Sequence, residues 1–167
     1  MDLDIRYIAG LFDGEGWITI AKLDLGGYRK YSKDYMRYQL HIGIGMTYRP
    51  VITQLHSQLG GGEFVINRSA QAKMPKARTN YLWKLSSNPA AAFLNQVLPY
   101  LVVKKEEAEI AIEFQLHVRK HVGDMCHRPE MRKAIYAERE KYYKKVKSLK
   151  KRCFDTPVAS DPIPTAA

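Results

Sequence analysis

Within DIRYIAGLFDGEGWI, residues 4–18, the hydrophobic period changes abruptly at glycines, and this constrains the fold more than any other feature of the chain. Ile5, Ile8, Ala9 and Phe12 recur at i, i+3, i+4 and i+7, predicting one apolar face of a helix. Asp2 or Asp4 can cap its start, and Gly14 and Gly16 are expected to stop it. Beyond Gly16 the period is two. WITIAKLD (17–24) predicts a strand with Ile18 and Ile20 on one face and Thr19 and Ala21 on the other. Ala9 and Gly10 are small enough for a second backbone to come close, either inside the core or from another copy of the chain.

The pattern then repeats itself in type. RYQLHIGIGM (37–46) alternates as a strand, with Leu40, Ile42 and Ile44 opposite Gln39, His41, Gly43 and Gly45. RPVITQLHSQLGGG (49–62) reads as a helix with Pro50 in its first turn and Gly60 at its end. GEFVINRS (62–69) and NYLWKLSS (80–87) are two further strands, and NPAAAFLNQVLPYL (88–101) is a helix expected to be capped by Asn88. Two more helices follow: 103–120, with Ala108, Ile112 and Leu116 on one stripe, and 128–152, with Met131, Ile135, Tyr142, Val146 and Leu149 lining an apolar side. The order predicts an α+β fold, αββαββα plus C-terminal helices. One domain is expected over 1–153, with a Pro- and Ala-rich tail over 154–167.

Charge narrows the partner. Residues 22–84 hold eleven basic and three acidic groups, residues 128–152 hold the same counts, and the remainder is mildly acidic. Two basic zones favour a polyanion, because neutralising phosphates releases counterions. Two cysteines are too few for a disulfide scaffold, and no apolar run spans a bilayer. An intracellular setting is therefore expected, cytoplasmic or organellar, with no membrane partner and no secretion.

The chemistry gathers at D-G-E-G. Two carboxylates, Asp13 and Glu15, stand at a helix C-terminus, which is the negative end of the helix dipole. Such groups call for a cation, and carboxylate with free carbonyls offers the hard oxygen donors that Mg²⁺ accepts. A solvated acidic turn has the same composition.

The string AGLFDGEG (9–16) resembles the LAGLIDADG motif of homing endonucleases, of the single-motif, homodimeric type. FLNQVLPYLVVKKEEAEIAIEF (93–114) is similar to the segment in which that family leads from a P-[YF]-L run into a lysine and a helix. The resemblance covers about residues 5–120 and implies a four-stranded antiparallel DNA-binding sheet. It implies that Glu15 is the metal ligand, where most members carry Asp, with Gly14 offering its carbonyl and Mg²⁺ (or Mn²⁺) as cofactor. Lys104 falls at the basic position near the scissile phosphate, with Lys105 as its neighbour. A polar residue usual after the second strand has no clear counterpart in GMTYRP (45–50), where Thr47, Tyr48 and Arg49 are the candidates.

A single motif copy implies a homodimer joined through the motif helix, at Ile5, Ile8, Ala9 and Phe12 with Gly10. The implied activity is cutting of double-stranded DNA at a long pseudo-palindromic site. Thr19, Gln39, His41, Asn67, Asn80 and Lys84 are expected on the outward sheet face with Ala21 and Gly43. Arg37 and Arg68 lie at strand edges, Arg49 of GMTYRP is a further DNA-binding candidate, and Lys22, Arg29, Lys30 and Lys33 lie near the first hairpin tip. An intron RNA maturase, with intron RNA as partner, and a non-catalytic DNA-binding regulator are the alternatives on the same fold. His117, His121, Cys126 and His127 form H-x₃-H-x₄-C-H, either a zinc set or a wet helix end. The tyrosines interleaved with lysines over 136–152 either stack on nucleic acid or pack on the core.

Overall fold

The computed structural model describes residues 2–25, 36–60, 62–66 and 79–155. Helix α1 (Ile5–Glu15) runs directly into β1 (Gly16–Asp24), followed by β2 (Met36–Met46), α2 (Arg49–Leu59), β3 (Glu63–Ile66), β4 (Tyr81–Ser86) and α3 (Ser87–Val97). A 3₁₀ turn at Leu98–Tyr100, where Pro99 lacks the N–H to continue α3, leads to α4 (Lys105–Lys120). The short α5 (Val122–His127) and the long α6 (Pro129–Asp155) complete the order. The αββαββα core and its C-terminal helices follow the order expected. Helix α6 continues to Asp155, past the expected start of the tail at 154, and residues 156–167 lie outside the described residues.

The four strands form one antiparallel sheet in the order β1-β2-β4-β3. Its pairing runs without a bulge along β1 and β2, so the alternation of the sequence maps directly onto two faces. Ile18, Ile20, Leu40, Ile42, Ile44, Trp83 and Leu85 face the helices and are buried. Phe93 of α3 binds this layer together, meeting Phe12 edge-on at 5.2 Å and Trp83 edge-on at 5.0 Å.

Helix α1 is capped by Asp4, whose carboxylate accepts from the Arg6 N–H at 2.8 Å. It continues through Gly14 and Glu15, one turn end later than the glycines suggest, and stops only at Gly16, whose N–H bonds the Phe12 carbonyl. Gly16 is required by space. A Cβ there would strike both the Phe12 ring and the Phe12 carbonyl oxygen. The helix can therefore give way to a strand with no loop between them.

The expected dimer residues need correction. Ile8, Ala9 and Phe12 are fully buried within one chain, because that face of α1 packs on the sheet and on Phe93, and Ile5 borders the same core. The free face of α1 carries Arg6, Tyr7, Gly10 and Gly14, with open space beside both glycines. In α4 the buried positions are Ala108, Ile110, Ala111, Phe114 and Gln115, and Leu116 is exposed. Asn88 does not cap α3; its Oδ1 accepts from the buried Gln115 at 2.9 Å.

Helix α6 closes the helical layer over β1 and the start of β2. The Tyr38 hydroxyl donates to Glu140 at 2.6 Å, and the Tyr136 hydroxyl accepts from the Met36 N–H at 3.3 Å. Burial, and then the bond to Glu140, pushes the Tyr38 hydroxyl far above the ordinary phenol range. Tyr142 packs on Phe114 at 6.0 Å, and Tyr136 lies against Tyr38 at 6.4 Å. These tyrosines serve packing.

Candidate functional site

The end of α1 is tied to the entrance of α4 by a single residue. The Asp13 carboxylate accepts three backbone N–H groups, from Val102 at 2.7 Å, Val103 at 3.2 Å and Lys104 at 3.0 Å. The Lys104 ammonium in turn donates to the main-chain carbonyl of Asp13. A carboxylate accepting several amide donors is a charge-assisted anchor, so Asp13 is consumed by structure and is no free acid. Sequence spacing, which paired Asp13 with Glu15, gave no sign of this separation of roles.

Glu15, two residues on, is different. It is exposed and has no hydrogen-bond or ion-pair partner among the described residues. Its carboxylate stands at the negative end of α1, beside terminal carbonyls that lack helical donors. Among the described residues no group of three His, Cys, Asp or Glu side chains converges as a metal cage. One free carboxylate with adjacent carbonyl oxygen still matches what Mg²⁺ asks of a protein, which is one or two carboxylates completed by waters and phosphate oxygens. The donor set at Glu15 and Gly14 thus fits a hard divalent ion in contact with a phosphate and does not fit zinc. Of the polar candidates in 45–50, Thr47 and Tyr48 are exposed, Tyr48 makes no capping bond, and Arg49 lies over the Tyr81 ring at 5.7 Å.

From this end the outer sheet face extends in rows. Trp17, Gly43, Lys84 and Glu63 are register partners in one row, and Thr19, His41 and Ser86 form the next. Ala21 pairs with Gln39, and Leu23 with the exposed Arg37. The Trp17 ring lies over Gly43, where a Cβ would meet both the indole and the Trp83 carbonyl. His41 Nδ1 is 2.6 Å from Ser86 Oγ, and Gln39 Nε2 donates to Ser87 Oγ at 3.3 Å. Asn80 sits beside Gly45 with its Oδ1 buried and unpartnered among the described residues. The face is half exposed, with Gln39 and His41 held by neighbouring serines.

The structure therefore brings Thr19, Gln39, His41, Asn80 and Lys84 to one surface, with Arg37 at its margin. Ser86, Ser87 and Trp17 share the surface; strand parity from 80–87 and 17–24 carried that signal for Trp17 and Ser86. Lys22 is placed elsewhere: opposite Tyr38, it turns to the helical side, bonds Glu140 at 2.7 Å and lies 5.9 Å from the Tyr38 ring. Arg49 also belongs to the helical layer. Arg29, Lys30, Lys33, Asn67 and Arg68 lie outside the described residues.

The histidine set comes together only in part. The His117 and His121 rings meet at a tilt, their centroids 4.7 Å apart, and His121 bonds Asp124 at 2.8 Å. His117 Nδ1 is buried and unpartnered among the described residues, and burial followed by the His121 and Arg139 charges holds its pKa below the ordinary imidazole value. No zinc set forms among the described residues; the Cys126 and His127 side chains lie outside them.

Comparison with known proteins agrees with this geometry. No family model and no curated protein matches the chain. Among solved structures it is similar to the homing endonuclease I-CvuI in complex with a DNA target in the presence of Mg, with a TM-score of 0.68, 14% identity, and 93% of this chain and 85% of that one covered. It is similar to the archaeal intron-encoded homing endonuclease I-Vdi141I complexed with DNA, with a TM-score of 0.66, 16% identity and coverage of 95% and 87%. The meganuclease I-SmaMI bound to DNA gives a TM-score of 0.62 at 14% identity, over 84% of this chain but 43% of that one. The chain has the fold of the LAGLIDADG homing endonucleases, as its motif resemblance implies.

Proposed function

We propose that this chain is a homodimeric, site-specific double-strand DNA endonuclease, hydrolysing phosphodiester bonds with a divalent metal. The observation that carries the reading is the docking of Lys104 at the end of α1, close in the chain to the unpaired Glu15, where the polar sheet face begins. A fold built only to bind has no need to dock a lysine on the helix end that also carries a free carboxylate.

Glu15 and the Gly14 carbonyl would hold Mg²⁺ (or Mn²⁺), which supplies Lewis-acid stabilisation of the phosphate and a more acidic water. Lys104 places positive charge where negative charge develops on the phosphate oxygens, and its bond to the Asp13 carbonyl fixes that charge before substrate arrives. Asp13 positions Lys104 and contacts no substrate. On the sheet, His41, Gln39, Asn80 and Lys84 would face the major groove, the amides and imidazole reading base edges and the lysine holding phosphate.

Two strands require two sites. The exposed face of α1 at Tyr7, Gly10 and Gly14 is continuous with exposed Tyr100, Val102 and Val103, and Arg6 stacks over Tyr100 at 5.9 Å. Two copies joined there would bring both Glu15 groups to one two-fold axis and match a pseudo-palindromic target. The cover of less than half of I-SmaMI by most of this chain agrees with a half-sized unit.

The test is cleavage of a randomised-site plasmid library with Mg²⁺. Wild type should make double-strand cuts at one long site. Glu15→Gln and Lys104→Met should each lose at least a hundredfold in rate while still binding duplex. Gly10→Leu should sediment as a monomer. Tight duplex binding without cutting by any of the proteins would make the fold a binding module.

A further inference from the structure

Strand β4 turns into α3 with no loop between them, and the two residues of that corner are serines whose hydroxyls both reach side chains of the outer sheet face. Ser86 ends β4 and stands at the N-cap of α3, where a serine ordinarily turns its oxygen to the amides of the helix. Here it makes no such bond, and its Oγ lies 2.6 Å from His41 Nδ1. Ser87, the first residue of α3, has a φ of +56° and is, among the described residues, the one non-glycine with a positive φ. Its Oγ accepts from Gln39 Nε2 at 3.3 Å.

The corner is held from beneath. The Asn88 side chain accepts from the buried Gln115 at 2.9 Å, and the ring of Pro89 fixes the φ that follows. A left-handed residue is therefore imposed at 87, and glycine adopts that conformation without steric cost. A serine there carries strain that the surrounding fold has to hold, and strain of this kind gathers where a side chain is used. What the Ser87 side chain supplies is a partner for Gln39.

Gln39 and His41 are alternate residues of β2, both half-buried on the face opposite the helices. They stand about 7 Å apart along the strand, close to the rise of two base pairs. A glutamine amide turned end for end exchanges donor for acceptor, and a neutral imidazole does the same by changing tautomer. A serine at one end of each holds it in one sense. With one N–H given to Ser87 and no other partner among the described residues, the Gln39 amide offers its carbonyl oxygen and second N–H. That pair matches N6 and N7 of adenine.

We propose that Ser86 and Ser87 are positioning residues for base recognition, fixing the hydrogen-bonding sense of His41 and Gln39 and so the preferred base at two positions of the target. This rests on the sheet carrying the duplex, the reading given above. Neither serine touches a base; each acts through its partner.

The experiment selects bound sequences from duplexes randomised over the target, using the full chain as wild type, S87G, S87A, S86A, Q39A and H41A, and records Tm for each. Wild type should favour one base by about tenfold or more at the position that Q39A relaxes, and likewise at the position that H41A relaxes. S87G and S87A should each reduce the first preference to about threefold or less, and S86A the second, with every other position unchanged. S87G should melt at or above wild type and S87A no higher than wild type. Selectivity then falls while stability holds, which a merely structural serine does not produce. A preference that survives loss of its serine, while the alanine variant of its reader loses it, overturns the proposal and keeps the sheet as the DNA face. A loss spread evenly over all positions also overturns it. A wild type without preference, or Q39A and H41A that select the same sequence as wild type, overturns the sheet reading itself.

Discussion

The Lys104 ammonium donates to the main-chain carbonyl of Asp13, while the carboxylate of that aspartate gathers the amides of 102–104. The two residues clasp each other across 91 positions of sequence. Asp13→Ala should strand three amide donors and free the lysine. A loss of about 2–3 kcal/mol in urea unfolding is expected for a charge-assisted set of this kind. Asp13→Asn should fall between, since one carbonyl oxygen can still accept.

Gly16→Ala should destabilise the protein by about 2 kcal/mol or more, because the new methyl meets the Phe12 carbonyl and ring at a junction without slack. Gly14→Ala, two residues away in open space within the helix, should be neutral or stabilising by up to about 1 kcal/mol. Thermal unfolding of the pair separates a steric requirement from a general dislike of glycine replacement.

Glu107, one turn into α4, has a buried Oε2 without a partner among the described residues. Burial raises its pKa, with Lys150 and Lys104 pulling the other way. A raised folded pKa gives stability that is full below the ordinary carboxylate range and lost as pH rises through the folded value. Glu107→Gln should therefore match wild type below about pH 4 and exceed it at pH 7, by roughly 0.5 kcal/mol given the solvent near this half-buried group. Melting curves across that range decide it.

His117 runs in the opposite sense. Its pKa is lowered by burial, then by His121 and Arg139, with Lys120 adding to them and Glu138 opposing. Its contribution to stability is full above the ordinary imidazole pKa, about 6.5, and is lost as pH falls through the folded value. The Tm of wild type should drop as pH falls below about 6.5, and His117→Gln should flatten that drop. A variant that melts with the same pH profile as wild type would remove His117 from the account.

The elements and strand faces were legible because period-two alternation in 17–24 and 37–46 meets no bulge. Glu15 and Lys104 were singled out through motif resemblance alone. What escaped was decided by partners distant in sequence. Ile8, Ala9 and Phe12 look like a seam until Phe93 is placed against them, and Lys22 looks like a phosphate contact until Glu140 arrives from α6. Asp13 and Glu15 have the same charge and lie two apart. Only the return of the chain at 102–104 assigns one to anchoring and leaves the other free.

The long span of the Asp13–Lys104 clasp has a consequence for synthesis. A nascent chain ending anywhere before residue 102 already contains Glu15, but it has neither the peptide that fixes Asp13 nor the cation that completes the pair. On the reading proposed above, a product stalled before that point lacks both Lys104 and an anchored Asp13, so the groups assigned to cutting meet only once synthesis has passed residue 104.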